Sequence, residues 1–552
     1  MTATAVLIVG AGPTGLTLGC ALARAGVPVR IIDKSPEFHD GSRGKGLNQR
    51  SREVLADLGM GEEFAAAGNP RLIFRKYRGG VAMADHVPEA DEGADPTVPY
   101  ATGLWIPQWR TEEILRARLA SYGVRVELGR ELTGFTQDRA GVVAELADGR
   151  RVEAAYLVGC DGARGVVRKA LGVSFEGEAE PELALVGDVE VEGDLDRDCW
   201  HQWIDEDGAV LLCPLPGTRR WQLQSSPERD AEGNFLGPSL ELFQRQLDRH
   251  ARVPGLRLTN PGWLSTYRVN VRMADRFRVG RVFLAGDAAH IHSIAGGLGM
   301  NTGIQDGYNL GWKLALVVSG RAGEGLLDTY EEERLPVAAW TLRLTSERLR
   351  AVREGVRRAG VGTEAGFAPD LATLGVGYRW GSLAWGGPKA GERAPDAPCR
   401  DAVSGKTVRL FDVFEGPRFT LLGFGPESAE ALDQVSASCG DLVRTCLIDG
   451  GGPKGEDGGP TAAGDWTAEG GPMAGGDRPA GGGGERLLDP ERHAWVAYGM
   501  GEARELVGAE GEEPGRRGRG GLVLVRPDNY MAMSAAADRG ADVIRRLERL
   551  GR

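Results

Sequence analysis

Residues 281–319, RVFLAGDAAHIHSIAGGLGMNTGIQDGYNLGWKLALVVS, decide the fold. The stretch reads as a buried apolar strand over 282–285, an abrupt turn at Gly286 and Asp287, a loop carrying His290 and His292, and a long helix opening near Met300. A helix start leaves backbone N–H groups unpaired, and the helix dipole favours negative charge beside them. Gly296, Gly297 and Gly299 lack the side chains that would hold a flat ligand away from that backbone. An electron-rich ring is the natural occupant.

Toward the N-terminus, residues 5–9 form a short apolar strand that runs into GAGPTG, with Gly10, Gly12 and Gly15 spaced around Pro13 and Thr14. A helical pattern follows through Leu16, Leu18, Ala21 and Leu22, then a second strand over 29–32 that ends at Asp33 and Lys34. Strand, glycine turn, helix, strand and an acid about 20 residues past the glycines place a pyrophosphate on a helix N-terminus and a ribose hydroxyl on the carboxylate. If the glycines served packing alone, Asp33 would be a coincidence.

Composition bounds the function. With 552 residues, 41% of them hydrophobic, the chain has material for two or three cores. No apolar run approaches the roughly 20 residues that span a bilayer, and the N-terminal apolar run has neither a basic leader nor a small-residue cleavage site, so a cytoplasmic location is expected. A net charge of −12 without a basic stripe argues against nucleic acid. The seven cysteines, Cys20, Cys160, Cys199, Cys213, Cys399, Cys439 and Cys446, show neither a CxxC pair nor zinc spacing, so reduced structural thiols are expected and no metal.

Three further stretches carry chemistry. GSRGKGLNQRSREVLADL, residues 41–58, is a glycine-punctuated loop running into an amphipathic helix; Arg43 and Lys45 are cations suited to phosphates or to a bound ring, or else a solvated basic loop. In IPQWRTEEILRARL, residues 106–119, Gln108 and Arg110 precede apolar helix positions. In YLVGCDGARGVVRKALG, residues 156–172, a short strand delivers Asp161 and Gly162, followed by Arg164 and Arg168 one turn apart.

GAGPTG, the Asp161-Gly162 pair and the Gly286-Asp287 pair, in this order, resemble the three fingerprints of FAD-dependent aromatic hydroxylases. These single-component flavin monooxygenases include phenol hydroxylase-like enzymes and the hydroxylases of aromatic polyketides. The resemblance runs from the N-terminus to about Thr345. It implies bound FAD, NADPH or NADH as reductant, and O2 as co-substrate, with a flavin C4a-hydroperoxide passing oxygen to a phenolic or polycyclic aromatic small molecule, polyketide in type. It further implies that Gln108 and Arg110 reach the diphosphate and ribityl chain, that Asp161 serves FAD and the pyridine nucleotide, and that Asp287 holds the ribityl chain. Gly299, Met300 and Asn301 would face the ring edge that becomes negative on reduction. His290 and His292 are candidates for catalysis, with a structural role as the alternative. One departure matters: relatives carry proline where this chain has Ile294, and proline would stiffen the loop facing the flavin. A Baeyer–Villiger oxygenase and a non-catalytic flavin-binding protein are the alternatives. The composition also resembles secondary-metabolism enzymes, which implies antibiotic biosynthesis.

The expected fold class is α/β: a Rossmann-like FAD-binding domain over 1–180 and 272–390, interleaved with a mixed, mostly antiparallel substrate sheet over 181–271, and a thioredoxin-like domain over 391–552. Alternation in CWHQWID puts Cys199, His201 and Trp203 on one strand face and Trp200, Gln202 and Ile204 on the other, with no sign of which faces inward. Trp200, Gln202 and Gln222 are the substrate candidates. The glycine-dominated run 450–484 cannot bury enough surface to order itself and reads as a disordered insertion. A homodimer is the oligomer considered, and no membrane partner is expected.

Overall fold

In the computed structural model, residues 2–42, 44–87, 95–293, 296–357, 369–450, 485–500 and 520–551 are described. The strand Thr2–Val9 pairs in parallel with Val29–Ile32 on one side and Arg151–Gly159 on the other, and the latter pairs in parallel with Val282–Leu284. All three sequence fingerprints therefore leave the same end of one sheet, because parallel neighbours put their C-termini together. Residues 6–9, 31–32, 157–158 and 282–284 are buried, the continuous apolar run of a sheet covered on both faces. The helices Pro13–Arg24 and Leu298–Val318 cross against each other through small residues: a Cβ added to Gly303 would lie 2.3 Å from Thr14 Oγ1, and one on Gly311 2.6 Å from Ala21 Cβ.

A second sheet of eight strands runs His290–Ile291, Arg257–Ala274, Phe175–Glu192, Arg220–Ser225, Gly208–Pro214, Cys199–Asp205, Ile73–Arg78, Val81–His86. Every pairing is antiparallel except that of Cys199–Asp205 with Ile73–Arg78. This sheet reaches beyond the expected 181–271: it draws in 73–86 from early in the chain, and its edge strand His290–Ile291 belongs to the decisive loop. One face packs Trp203, Trp221 and Leu223 against Leu242, Phe243 and Leu247 of the helix Leu240–Ala251.

The third sheet, seven-stranded and mixed, includes the adjacent inner strands Phe419–Phe424 and Gly521–Val525, both buried at every position. Helices Ala429–Cys439 and Gly540–Leu550 cover one face together with Trp312 and Leu316 of the long helix. Residues 451–484, nearly all of the glycine-rich run, lie outside the described residues. None of the seven cysteines forms a disulfide. Among the described residues no helix is long and apolar enough to cross a membrane.

Candidate functional site

The GAGPTG turn is fixed by contacts that only glycine allows. Gly10 has φ 108°, and a Cβ there would sit 2.2 Å from the Cys160 carbonyl oxygen, which ties the first fingerprint to the second. Asp33 accepts from the backbone N–H of Ala11 at 2.8 Å and of Ser35 at 2.9 Å, so the acid shapes the turn it follows. Gly12 caps the helix Pro13–Arg24 with no side-chain hydrogen bond, and a Cβ on it would meet nothing within 4 Å. Lys34 is exposed beside this turn. Here open space lies before unpaired N–H groups, as an anion requires.

The second uncapped helix start is Leu298–Val318, whose N-cap Gly297 has φ 62° and no side-chain cap. Gly297 and Gly299 also have nothing within 4 Å of an added Cβ. Gly286, at φ 60°, would press a Cβ to 2.4 Å from Thr14 Oγ1, so the first and third fingerprints touch. Asp287 stands exposed in the three-residue turn Gly286–Ala288.

Side chains around this helix start spend themselves on one segment, residues 42–48. Asn301 Nδ2 donates to the Gly46 carbonyl at 3.1 Å and the Gly297 carbonyl at 2.9 Å, while its Oδ1 accepts from Asn48 N–H at 2.9 Å. Gln108 Oε1 accepts from Gly44 N–H at 3.1 Å and its Nε2 donates to Glu112 at 2.9 Å. Half-buried Met300 packs by Gly44. Asn301 and Gln108 thus hold a loop beside the helix start. Arg110 lies at the surface, paired with Glu113 at 2.6 Å. Arg43 and Ile294 lie outside the described residues.

Asp161 Oδ2 accepts from Val166 N–H at 2.6 Å and Val167 N–H at 3.0 Å, capping a short helix, while buried Oδ1 has no partner among the described residues. Burial pushes this carboxyl up. Gly162, at φ 76°, opens onto space. Arg168 is buried and donates to the carbonyls of Ala288 and Ala163, each at 2.7 Å, so it bolts the second fingerprint to the third.

The histidines form a buried chain. His292 Nε2 lies 2.8 Å from His290 Nδ1, and His290 Nε2 lies 2.6 Å from Asp306 Oδ2, which also accepts from Gly286 N–H. Arg334 holds the other oxygen of Asp306 at 2.7 Å. Burial pushes Asp306 up, but the charges of His290 and Arg334 and their hydrogen bonds outweigh it and hold the carboxyl down at about 2. Burial, helped by the neighbouring His290, keeps His292 well below the usual histidine range and hence neutral. His290 is thus joined to the Gly286 turn through Asp306. Asp306, a residue that the sequence reading passed over, is the hub.

The substrate candidates share one face of the second sheet. Trp200, Gln202 and Gln222 lie opposite the helix-packed face, with Phe74 and Trp105 at ring-centroid distances of 5.4 and 5.2 Å from Trp200. His201 sits on the helix side, hydrogen-bonded to Tyr77 OH and the Asp196 carbonyl, each at 2.7 Å. Lys45 reaches this inner face: Nζ lies 4.2 Å from the Trp200 ring centroid and donates to Gln222 Oε1. Gln222 Nε2 donates to the Ser42 carbonyl, and Ser42 N–H donates to Asp188 Oδ2 at 2.9 Å. Asp188 is fully buried with its other oxygen unpartnered among the described residues, and burial raises its carboxyl to about 7. Alternation in VGDVEVEG exposes Asp188 as one of several acids, and only the sheet register distinguishes it.

Residues 3–345 match the FAD binding domain family. The chain is 44% identical over 467 residues to a flavin-dependent monooxygenase of Mycobacteroides abscessus, covering 80% of this chain and 94% of that protein. It is 33% identical over 568 residues to a pentachlorophenol 4-monooxygenase of Sphingobium chlorophenolicum, covering 97% and 94%. The structure is similar to that of aklavinone-11 hydroxylase solved with FAD and aklavinone, at TM-score 0.76 and 26% identity, covering 100% of this chain and 99% of that one. Fold and fingerprints define a flavoprotein of the mixed α/β, three-fingerprint type. The chain belongs to the FAD binding domain family of flavin-dependent monooxygenases.

Proposed function

We propose that the chain transfers one oxygen atom of O2 to a phenolic or polycyclic aromatic small molecule of polyketide type, with NADPH or NADH as reductant and the second oxygen atom leaving as water. The observation that carries this reading is convergence: the first helix start touches the third fingerprint where Thr14 meets Gly286, and the second helix start and the aromatic inner face of the sheet both meet residues 44–48. The aromatic substrates named for the two relatives above support the substrate class.

The residues fit FAD. Gly10, Gly12, Pro13, Thr14 and Gly15 would take the pyrophosphate on the first helix start, with Asp33 and Lys34 toward the adenosine end. Asp161, whose Oδ1 is unspent, Gly162, Gly286 and Asp287 would line the middle, and the backbone of Gly297, Gly299 and Met300 the ring. When bound, FAD supplies redox and oxygen chemistry. The chain's part is to place the electron-rich ring edge at the N-terminus of Leu298–Val318, to hold segment 42–48 beside it through Asn301 and Gln108, and to exclude water with Trp200, Trp105 and Phe74. His292, neutral and buried, is not a proton acceptor of ordinary strength; it positions the loop. Residues 391–552 are read as a thioredoxin-like domain, whose cysteines Cys399, Cys439 and Cys446 form no CxxC pair.

The test is to purify the protein and supply NADPH, O2 and candidate polyphenols. A yellow protein that yields a product heavier by one oxygen atom supports the reading. NADPH consumed with hydrogen peroxide as sole product would leave flavin binding without oxygen transfer.

A further inference from the structure

Lys45, half-buried, differs from the buried cations Arg50, Lys313, Arg334 and Arg526, each of which meets a carboxylate within 3 Å, and from buried Arg168, which spends its donors on the Ala288 and Ala163 carbonyls. Lys45 meets no carboxylate among the described residues. Of its three donors, one goes to Gln222 Oε1, and the ammonium otherwise stands over the Trp200 ring at 4.2 Å. The nearest acid facing it, Asp188, has one oxygen committed to Ser42 N–H and is packed into the sheet. Cys213, on the neighbouring strand opposite Gln222, carries a thiol pushed up to about 11 by burial and so brings no charge at neutral pH. Burial accordingly pulls Lys45 below the usual lysine range, with Asp188 only partly restoring it. A desolvated cation with spare donors beside three aromatic rings has a defined complement: a flat ring bearing an oxygen that ionises.

We propose that Lys45 is the residue that holds the ionised phenolic oxygen of the aromatic substrate against Trp200. The inference rests on the oxygenase reading above and names the feature of the substrate that the site selects, a phenol or enol on the edge of a planar ring. On binding, the phenolic proton passes to solvent, Lys45 stays protonated, and its two spare N–H donors take the phenolate oxygen. Electron density pushed into the ring by that oxygen makes the ring the better acceptor of an electrophilic oxygen atom. Gln222 orients the ammonium, and Gln202 Oε1 and Trp200 Nε1, both without partners among the described residues, are available on the same face for further hydroxyl or carbonyl groups.

The experiment uses the full chain loaded with FAD and no reductant, with 1,8-dihydroxyanthraquinone as probe, because the visible band of a hydroxyanthraquinone moves when its phenol ionises. The pH titration of the bound probe should show its phenol pKa lowered by about 1 to 3 units relative to the free probe. Lys45→Met should abolish that shift while keeping FAD, and Lys45→Arg should keep most of it. If Lys45→Met fails to fold, Lys45→Gln makes the same comparison. Wild-type protein that leaves the probe unbound or its ionisation unmoved overturns the assignment, as does a Lys45→Met protein that still shows the shift. Loss of FAD from Lys45→Met and Lys45→Gln would put the lysine on the cofactor and overturn it too. A colourless wild type that cannot be reconstituted fails the flavin reading itself, whereas a yellow one with an unshifted probe fails only the role of Lys45.

Discussion

Two glycines two positions apart in their motif predict opposite outcomes. A Cβ on Gly10 would collide with the Cys160 carbonyl at 2.2 Å in a backbone conformation hostile to side chains, so Gly10→Ala should fail to accumulate as folded protein. A Cβ on Gly12 meets nothing, so Gly12→Val should fold with an unchanged circular dichroism spectrum and purify colourless. Yellow Gly12→Val protein would move the cofactor elsewhere. Asp188 makes a second prediction at this scale. Its folded carboxyl titrates at about 7, well above the unfolded value of roughly 3.9, so the folded state keeps its proton longer. Stability is therefore lost as pH rises between those two values and stays lost above. Asp188→Asn removes that slope, and urea melts at pH 5 and pH 8 should show the variant gaining on wild type at the higher pH. A difference that does not change with pH would contradict it. The residue types of the site were readable in the glycines and in Asp33, because backbone geometry leaves a local mark. The roles of Asn301, Asp306 and Lys45 were not, since each is set by a partner far away in sequence: Gly46, Arg334 and Gln222.

The helix Leu298–Val318 was readable to within two residues of its start, because its glycine-rich entry and apolar run are contiguous. The second sheet was readable as alternation but not as a whole. Its members Ile73–Arg78 and His290–Ile291 join across long separations, and no local pattern announces a parallel pairing with Cys199–Asp205. The inward face of CWHQWID became decidable only when Leu240–Ala251 was seen to cover Trp203. Asn301 ties the long helix to Gly46 and Asn48 with two hydrogen bonds and to its own N-cap, Gly297, with a third. Asn301→Ala should cost about 1 to 3 kcal/mol, since it leaves part-buried backbone groups unpaired, and should weaken FAD binding along with it. Thermal melts with and without added FAD measure both; an unchanged melt with unchanged flavin retention would show the tie to be idle.

The third sheet is locked to the rest of the molecule by buried charge. Arg526, in the turn after Gly521–Val525, donates to Glu333 at 2.6 and 2.9 Å and to Asp528 at 2.6 Å, while Lys313 of the long helix donates to Glu333 at 2.7 Å. Burial pushes Glu333 up, but Arg526 and Lys313 hold it well below the usual carboxylate range. Its contribution is complete above the unfolded value and lost as pH falls toward the folded one. Glu333→Gln leaves buried Lys313 with no carboxylate and Arg526 with Asp528 alone, and should cost about 3 to 5 kcal/mol. Limited proteolysis should then release the C-terminal part under conditions where wild type resists; equal resistance would contradict the lock.

The claim that joins these scales is that this fold moves one oxygen atom from O2 into an aromatic ring. The direct measurement is turnover of a phenolic substrate under 18O2 in ordinary water with NADPH, followed by mass spectrometry of the product. The account predicts a product carrying one 18O atom bound to ring carbon, formed only by FAD-replete protein. Oxygen drawn from water, or NADPH consumed with no labelled product across the polyphenols tried, would contradict it.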